Sequence, residues 1–334
     1  MKSRNCFSIL LIIIFSCQTT GDKEKFQAEL QSIDLVRGDI ALCGSGEARF
    51  GKVEFGLSCV EKVRANFNLG TALLHSFEYK EAEKVFAKVI DEDPYCLMAY
   101  WGVGMSNFHP LWAPPTQEEL AKGSRTIALA RKLESGTEKE TDYLEAVAAM
   151  YDDWDKLDHR TRILKFEKAA EKIYLKYPED KEAAIFYALA LRAASDPADK
   201  TFSKQRKAGD ILNGLFPREP DHPGIAHYLI HTYDYPELAE LALAAARKYA
   251  SIAASSAHAL HMPSHIFTRM GLWDESIQSN INSMSAAKCY AENSGMQGHW
   301  DEELHGMDYL VYAYLQQARD EEARELDYCQ YADR

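Results

Sequence analysis

The sequence predicts an all-α protein, a superhelix of stacked antiparallel helix hairpins. Three observations carry this reading. No stretch shows the two-residue alternation of a half-buried strand. Amphipathic segments of helical period follow one another from residue 61 to residue 330, separated by turns rich in Pro and Gly. Eight of the eleven histidines crowd into residues 222–305, on segments whose spacing recurs from one hairpin to the next.

The chain divides into three parts. Residues 1–17 read as an export leader: Lys2 and Arg4 precede the apolar run Phe7–Phe15, and Ser16-Cys17 closes it. This junction resembles a bacterial lipobox. The resemblance implies a lipid on Cys17 and a membrane anchor at the cell envelope. Gln18 resembles the outer-membrane default, so the protein is expected to face the periplasm or the surface. Residues 18–60 form a tether with a Gly-rich loop between Cys43 and Cys59, and a disulfide joining these two is expected. Cys96, Cys289 and Cys329 are left unassigned. Residues 61–330 form the helical array. The net charge of −13 excludes nucleic acid as a partner, because phosphate binding needs a basic face.

Taken in order, residues 26–38 read as a short amphipathic helix. Residues 64–94 give the clearest hairpin, in which Gly70 and Ala82 allow close approach while Leu69, Tyr79 and Phe86 fill the space between hairpins. A helix from residue 95 is stopped by HPLWAPPT (109–116), whose three prolines cannot continue it. Thr116 with Glu119 reads as a capping box opening 116–133, followed by 137–154, 160–177, 181–194 and 202–216. The histidine-rich hairpins follow: 221–233 with 236–252, 258–270 with 273–287, and 305–317 with 321–328. No polar capping helix is evident after residue 328, so a longer natural array is expected.

The unit at 64–94, with Leu69-Gly70, Tyr79, Ala82, Phe86 and Pro94, resembles the tetratricopeptide repeat. The segment 258–287 repeats the match, and the resemblance spans about 62–328. LLHSFEY, AYWGVGMSNFHPLW, HPGIAHYLIHTYD and HALHMPSHIF also resemble a group of bacterial tetratricopeptide proteins. In that family the first helix of each hairpin lines a concave groove. The resemblance therefore implies that His258, His261, His265, His305 and Asp308 face the groove. A one-residue turn insertion adds His227 and His231. The resemblance implies no reaction.

Helical spacing points the same way without the family. His227 and His231 are four apart, as are His261 and His265, so each pair shares a helix face. Two such pairs on neighbouring helices supply four imidazoles to one centre. His227, His231, His261 and His265 are thus the expected metal ligands, with His222, His258, His305 and Asp308 as additional ligands or acid/base groups. Imidazole donors suit zinc, copper or iron. There is no HExxH, GxSxG, P-loop or GxGxxG. The expected function is an envelope-anchored binding protein whose histidine-rich concave face takes a transition metal, a small ligand or a peptide. The alternatives are a metal-dependent hydrolase or oxidoreductase using the same cluster, and a protein-assembly scaffold.

Overall fold

The computed structural model describes residues 24–41, 43, 49–111 and 113–332. The leader, the lipidation expected at Cys17, and Trp112 lie outside them. The described residues form helices and connecting segments, with no strand among them. Residues 24–31 are helical (α1). Then come α2 (Arg64–His75), α3 (Tyr79–Glu92), α4 (Leu97–Ser106), α5 (Gln117–Ala130), α6 (Glu138–Ala148), α7 (His159–Lys176) and α8 (Lys181–Ala193). The second half holds α9 (Ser203–Leu215), α10 (Pro223–Tyr233), α11 (Leu243–Ile252), α12 (Ala257–His261) and α13 (Pro263–Met270). It ends with α14 (Trp273–Ser294), α15 (Asp301–Gln316) and α16 (Asp320–Ala332). Successive helices pack against one another, giving an all-α stack.

Local chemistry sets the boundaries. Thr116 with Glu119 and Thr137 with Glu140 form complete capping boxes at the starts of α5 and α6. Asp158 and Asp180 cap α7 and α8 through their carboxylates. A Cβ on Gly70 would sit 2.9 Å from the Phe86 ring, which is why α2 and α3 can close on each other only with glycine there. The segment 258–270, expected as one helix, is two. Pro263 has no N–H to donate to the preceding turn, so α12 ends at His261 and α13 starts anew.

The array is closed rather than open. Beyond its sequence neighbours, α2 packs directly on α10, and α8 also reaches α10. An extended strap, residues 33–41, 43 and 49–60, lies over the junction. Its backbone N–H groups at Val36 and Ala41 donate to Glu83 and Glu81 of α3. Further along, Lys52 N donates to the Asp221 carbonyl, Ser255 N donates to the Arg49 carbonyl, and Ser58 N donates to Glu140. Phe50, Val53 and Phe55 of the strap are buried, and Phe55 packs against Phe67, Trp101 and Tyr143 with ring centroids 5.1–5.7 Å apart. The helix expected over 26–38 therefore stops at residue 31, because the chain beyond it serves as this strap.

The strap also corrects the expected Cys43–Cys59 bridge. Cys43 is bonded to Cys289 on α14, and Cys59 to Cys96 at the start of α4. Each of the two cysteines meets a different helix instead of the other. The Cys43–Cys289 bond closes a separation of 246 residues against 37 for Cys59–Cys96. Loop entropy makes the longer closure the more stabilising, each on the order of 3–5 kcal/mol. We expect non-reducing peptide maps to show these two pairs. Cys43→Ser should lower the melting temperature more than Cys59→Ser, and a map showing Cys43 joined to Cys59 would refute the arrangement.

Candidate metal centre

Six histidines gather where α10, α12, α13 and α15 meet. They form two groups of three. In each group the ring nitrogens lie within 4.8 Å of one another: His227, His231 and His258 in the first, His261, His265 and His305 in the second. Within the first, His227 Nε2 lies 3.1 Å from His258 Nε2, and the His231 ring is 4.7 Å from that of His227. Within the second, His261 Nε2 lies 3.0 Å from His265 Nε2, and the His305 ring is 4.5 Å from that of His261.

The opposite ring edges fix the tautomers. His227 Nδ1 is 2.6 Å from the backbone carbonyl of His75, which can only accept, so Nδ1 carries the proton. His258 Nδ1 donates to Glu302 Oε1 at 2.9 Å, and His265 Nδ1 to Asp234 Oδ2 at 2.9 Å. His261 Nδ1 donates to Asn280 Oδ1 at 2.6 Å, and Asn280 is oriented by its own Nδ2 donating to the Ser276 carbonyl. With Nδ1 carrying the proton, the neutral form of each ring has its lone pair at Nε2, and the Nε2 atoms of each pair face each other. The Nε2 of His231 is buried without a hydrogen-bond partner. Two lone pairs 3 Å apart repel unless a proton or a cation lies between them. Burial, helped by the neighbouring imidazoles, pushes His227, His231 and His261 well below the ordinary histidine range, which disfavours a proton on these three rings. Metal–imidazole bonds of about 2.0–2.1 Å at a tetrahedral angle put two nitrogens roughly 3.3 Å apart, close to both spacings.

The expected four-imidazole centre is thus redistributed. His227 and His231 go with His258, and His261 and His265 go with His305. His258 and His261 are three residues apart on α12, a rise of about 4.5 Å, so the groups stand about one helical turn apart. Asp308 is exposed and belongs to neither. His222 joins a different cluster, with His75 and Glu182: His222 Nε2 is 2.8 Å and His75 Nε2 3.0 Å from the Glu182 carboxylate, and His75 Nδ1 meets the Tyr228 hydroxyl at 3.0 Å. Burial would raise Glu182, but His222 and His75 outweigh it and hold the carboxyl well below the usual range. Here the ring nitrogens nearest the carboxylate are already hydrogen-bonded to it, so the cluster is a polar brace and not a second set of facing lone pairs. Burial divides the six: His227, His258 and His261 are at most 3% exposed, while His231, His265 and His305 are partly exposed.

Sequence reasoning missed the partners behind the ligands: Glu302, Asn280, Glu182 and the His75 carbonyl. Glu302 was within reach, three residues before His305. Asn280 carries no local signal. No protein-family model matches the chain, and no curated protein does.

One strained residue belongs to the site. Phe77 has φ 59°, a left-handed conformation disfavoured for a residue with a side chain. Its ring centroid lies 4.3 Å from His227, 5.3 Å from His231 and 5.5 Å from His258. Glycine relieves about 1 kcal/mol of backbone strain and loses the ring; alanine loses the ring and keeps the strain. We expect stability in the order wild type, Phe77→Gly, Phe77→Ala, read from denaturant melts. Alanine at or above glycine would show that the backbone is unstrained.

The lowered imidazoles also fix a pH dependence. A base whose folded pKa lies below its unfolded value of about 6.5 contributes stability that is present above that pH and lost as pH falls. Glu78 runs the other way: burial raises it to about 7, so its contribution falls as pH rises from the unfolded value towards 7. His227, His231 and His261 outweigh that one group. Chelator-treated protein should therefore lose melting temperature below pH 6.5. His231→Phe should reduce the slope by up to about 1.4 kcal/mol per pH unit. An acid profile flat to pH 5 would contradict the neutral cluster.

Proposed function

We propose that this chain is an envelope-anchored helical-repeat protein of the tetratricopeptide type that holds two transition-metal ions. One ion sits on His227, His231 and His258, the other on His261, His265 and His305. The observation that carries the reading is the facing of buried Nε2 lone pairs at 3.0 and 3.1 Å, with each opposite Nδ1 held by an acceptor. Such acceptors are what orient metal-ligating histidines and raise their basicity. The donor set favours copper and zinc, because the carboxylates stand behind the imidazoles and not beside the ion. Two disulfides support residence in an oxidising compartment, in keeping with the export leader.

A metal-dependent enzyme is the second reading, favoured by ligand number. Three imidazoles leave a coordination position for water or substrate, the pattern of catalytic rather than structural sites.

Protein purified without a polyhistidine tag should retain two ions per chain through dialysis. His258→Ala should remove one and His305→Ala the other. Asp234→Asn, which leaves all six imidazoles in place, should weaken the second ion by about 10–100-fold. Metal absent from the wild type, or retained in the His258→Ala/His305→Ala double variant, sinks the proposal.

A further inference from the structure

A cleft of about 870 Å³ opens beside the first histidine group, a size suited to a small organic ligand. It shares two walls with that group: Phe77, whose ring faces the three imidazoles, and Glu302, which holds His258. Two aromatic pairs line it. Phe77 stacks on Tyr79 at 5.3 Å, and Tyr290 lies 4.3 Å from Trp300. Eight lining residues are carboxylates against three lysines and arginines, so the cleft attracts cations.

The carboxylates differ in what they can still accept. Glu81 is bonded to Lys84, the Ala41 N–H and the Tyr290 hydroxyl. Glu83 is bonded to Lys122, Asn107 and the Val36 N–H. Glu302 is 5% exposed and gives one oxygen to His258; its Oε2 is buried with no hydrogen-bond partner. The Tyr79 hydroxyl, on the same cleft, is also buried without one. An unpartnered buried carboxylate oxygen is costly and calls for a donor. A bare divalent ion needs several converging oxygens, and Glu81 and Glu83 are already engaged. One open carboxylate oxygen among aromatic faces suits an ammonium group on an organic frame.

We infer that this cleft binds an organic amine in its ammonium form. The N–H groups donate to Glu302 Oε2, and the apolar body lies between the Phe77–Tyr79 and Tyr290–Trp300 pairs. The inference goes beyond the two-ion reading and does not depend on it. If both hold, the amine is bound against the wall of the first metal group.

The test is calorimetric titration of the full chain, chelated and metal-loaded, with 2-phenylethylammonium and with its neutral counterpart 2-phenylethanol. The cation should bind at least about tenfold tighter. Glu302→Gln and, separately, Trp300→Leu should each weaken it severalfold while the variants melt cooperatively. Trp300 packs on Tyr290 and so reports on the cleft if Glu302→Gln disturbs the fold. Equal affinity for amine and alcohol, no binding of either up to millimolar concentration, or amine binding unchanged in Trp300→Leu overturns the inference. Amine binding in a protein that holds no metal would leave this inference standing and remove the two-ion reading alone.

Discussion

The hydrogen bond from His227 Nδ1 to the carbonyl of His75 is the contact on which the site depends. It joins the end of α2 to the middle of α10 across 152 positions of sequence. It fixes the His227 tautomer, and so decides that Nε2 offers a lone pair towards His258. The same His75 uses its ring on the other side, between Glu182 and Tyr228. A single residue thus ties the polar brace to the first histidine group. Gly224 makes the fit possible: a Cβ there would collide with the His75 ring. Closing the array at this point costs the fold a buried carboxylate and several buried imidazoles, which must be kept satisfied. Around Glu182 both carboxylate oxygens and both His75 ring nitrogens have partners, and His222 Nδ1 alone of the cluster's ring nitrogens has none. Around the six clustered histidines the outer nitrogens with defined partners are satisfied, and the inner ones face each other.

That asymmetry separates a candidate ion site from ordinary buried polarity. The His75–Glu182–His222 cluster and the two triads are alike in proximity. They differ in where the protons go. Near Glu182 each carboxylate oxygen receives a donor. In the triads the acceptors behind His227, His258, His261 and His265 meet Nδ1, and Nε2 of His227 faces that of His258 as Nε2 of His261 faces that of His265. Cys59, Asp93 and Cys96 show the same point from another side: they also lie close together, but the two thiols are consumed in a disulfide.

Much of the architecture was legible in the sequence because helical period, prolines and caps are local. The capping box at Thr116–Glu119, the hairpin at 64–94 and the turn before Pro223 follow from neighbouring residues. The site was half legible. The i,i+4 pairs named four of the six clustered histidines, but spacing within a helix cannot say which turn of the next helix it meets. His258 therefore took a place beside His227 and His231 that had been given to His261 and His265. The closure of α2 on α10, the strap and both disulfide pairings are long-range facts with no local signal. They are also the facts that bury His227, His258 and His261.

Phe77 links the histidine group to the cleft. At a turn where glycine would be free of strain, the chain keeps a phenylalanine at φ 59°. The ring lies against three imidazoles on one side and stacks on Tyr79 on the other. Strain of about 1 kcal/mol persists only where surrounding structure over-determines the residue. Here two environments demand the same ring: a dry wall for the imidazoles, and an aromatic face for the cleft. Glu302 is shared in the same way, one oxygen on His258 and the other buried without a partner. A group that settles on Glu302 Oε2 changes the charge felt at His258 Nδ1, and through the ring the donor strength of His258 Nε2. The wall between the histidine group and the cleft is therefore an electrostatic connection, made of one strained aromatic residue and one divided carboxylate.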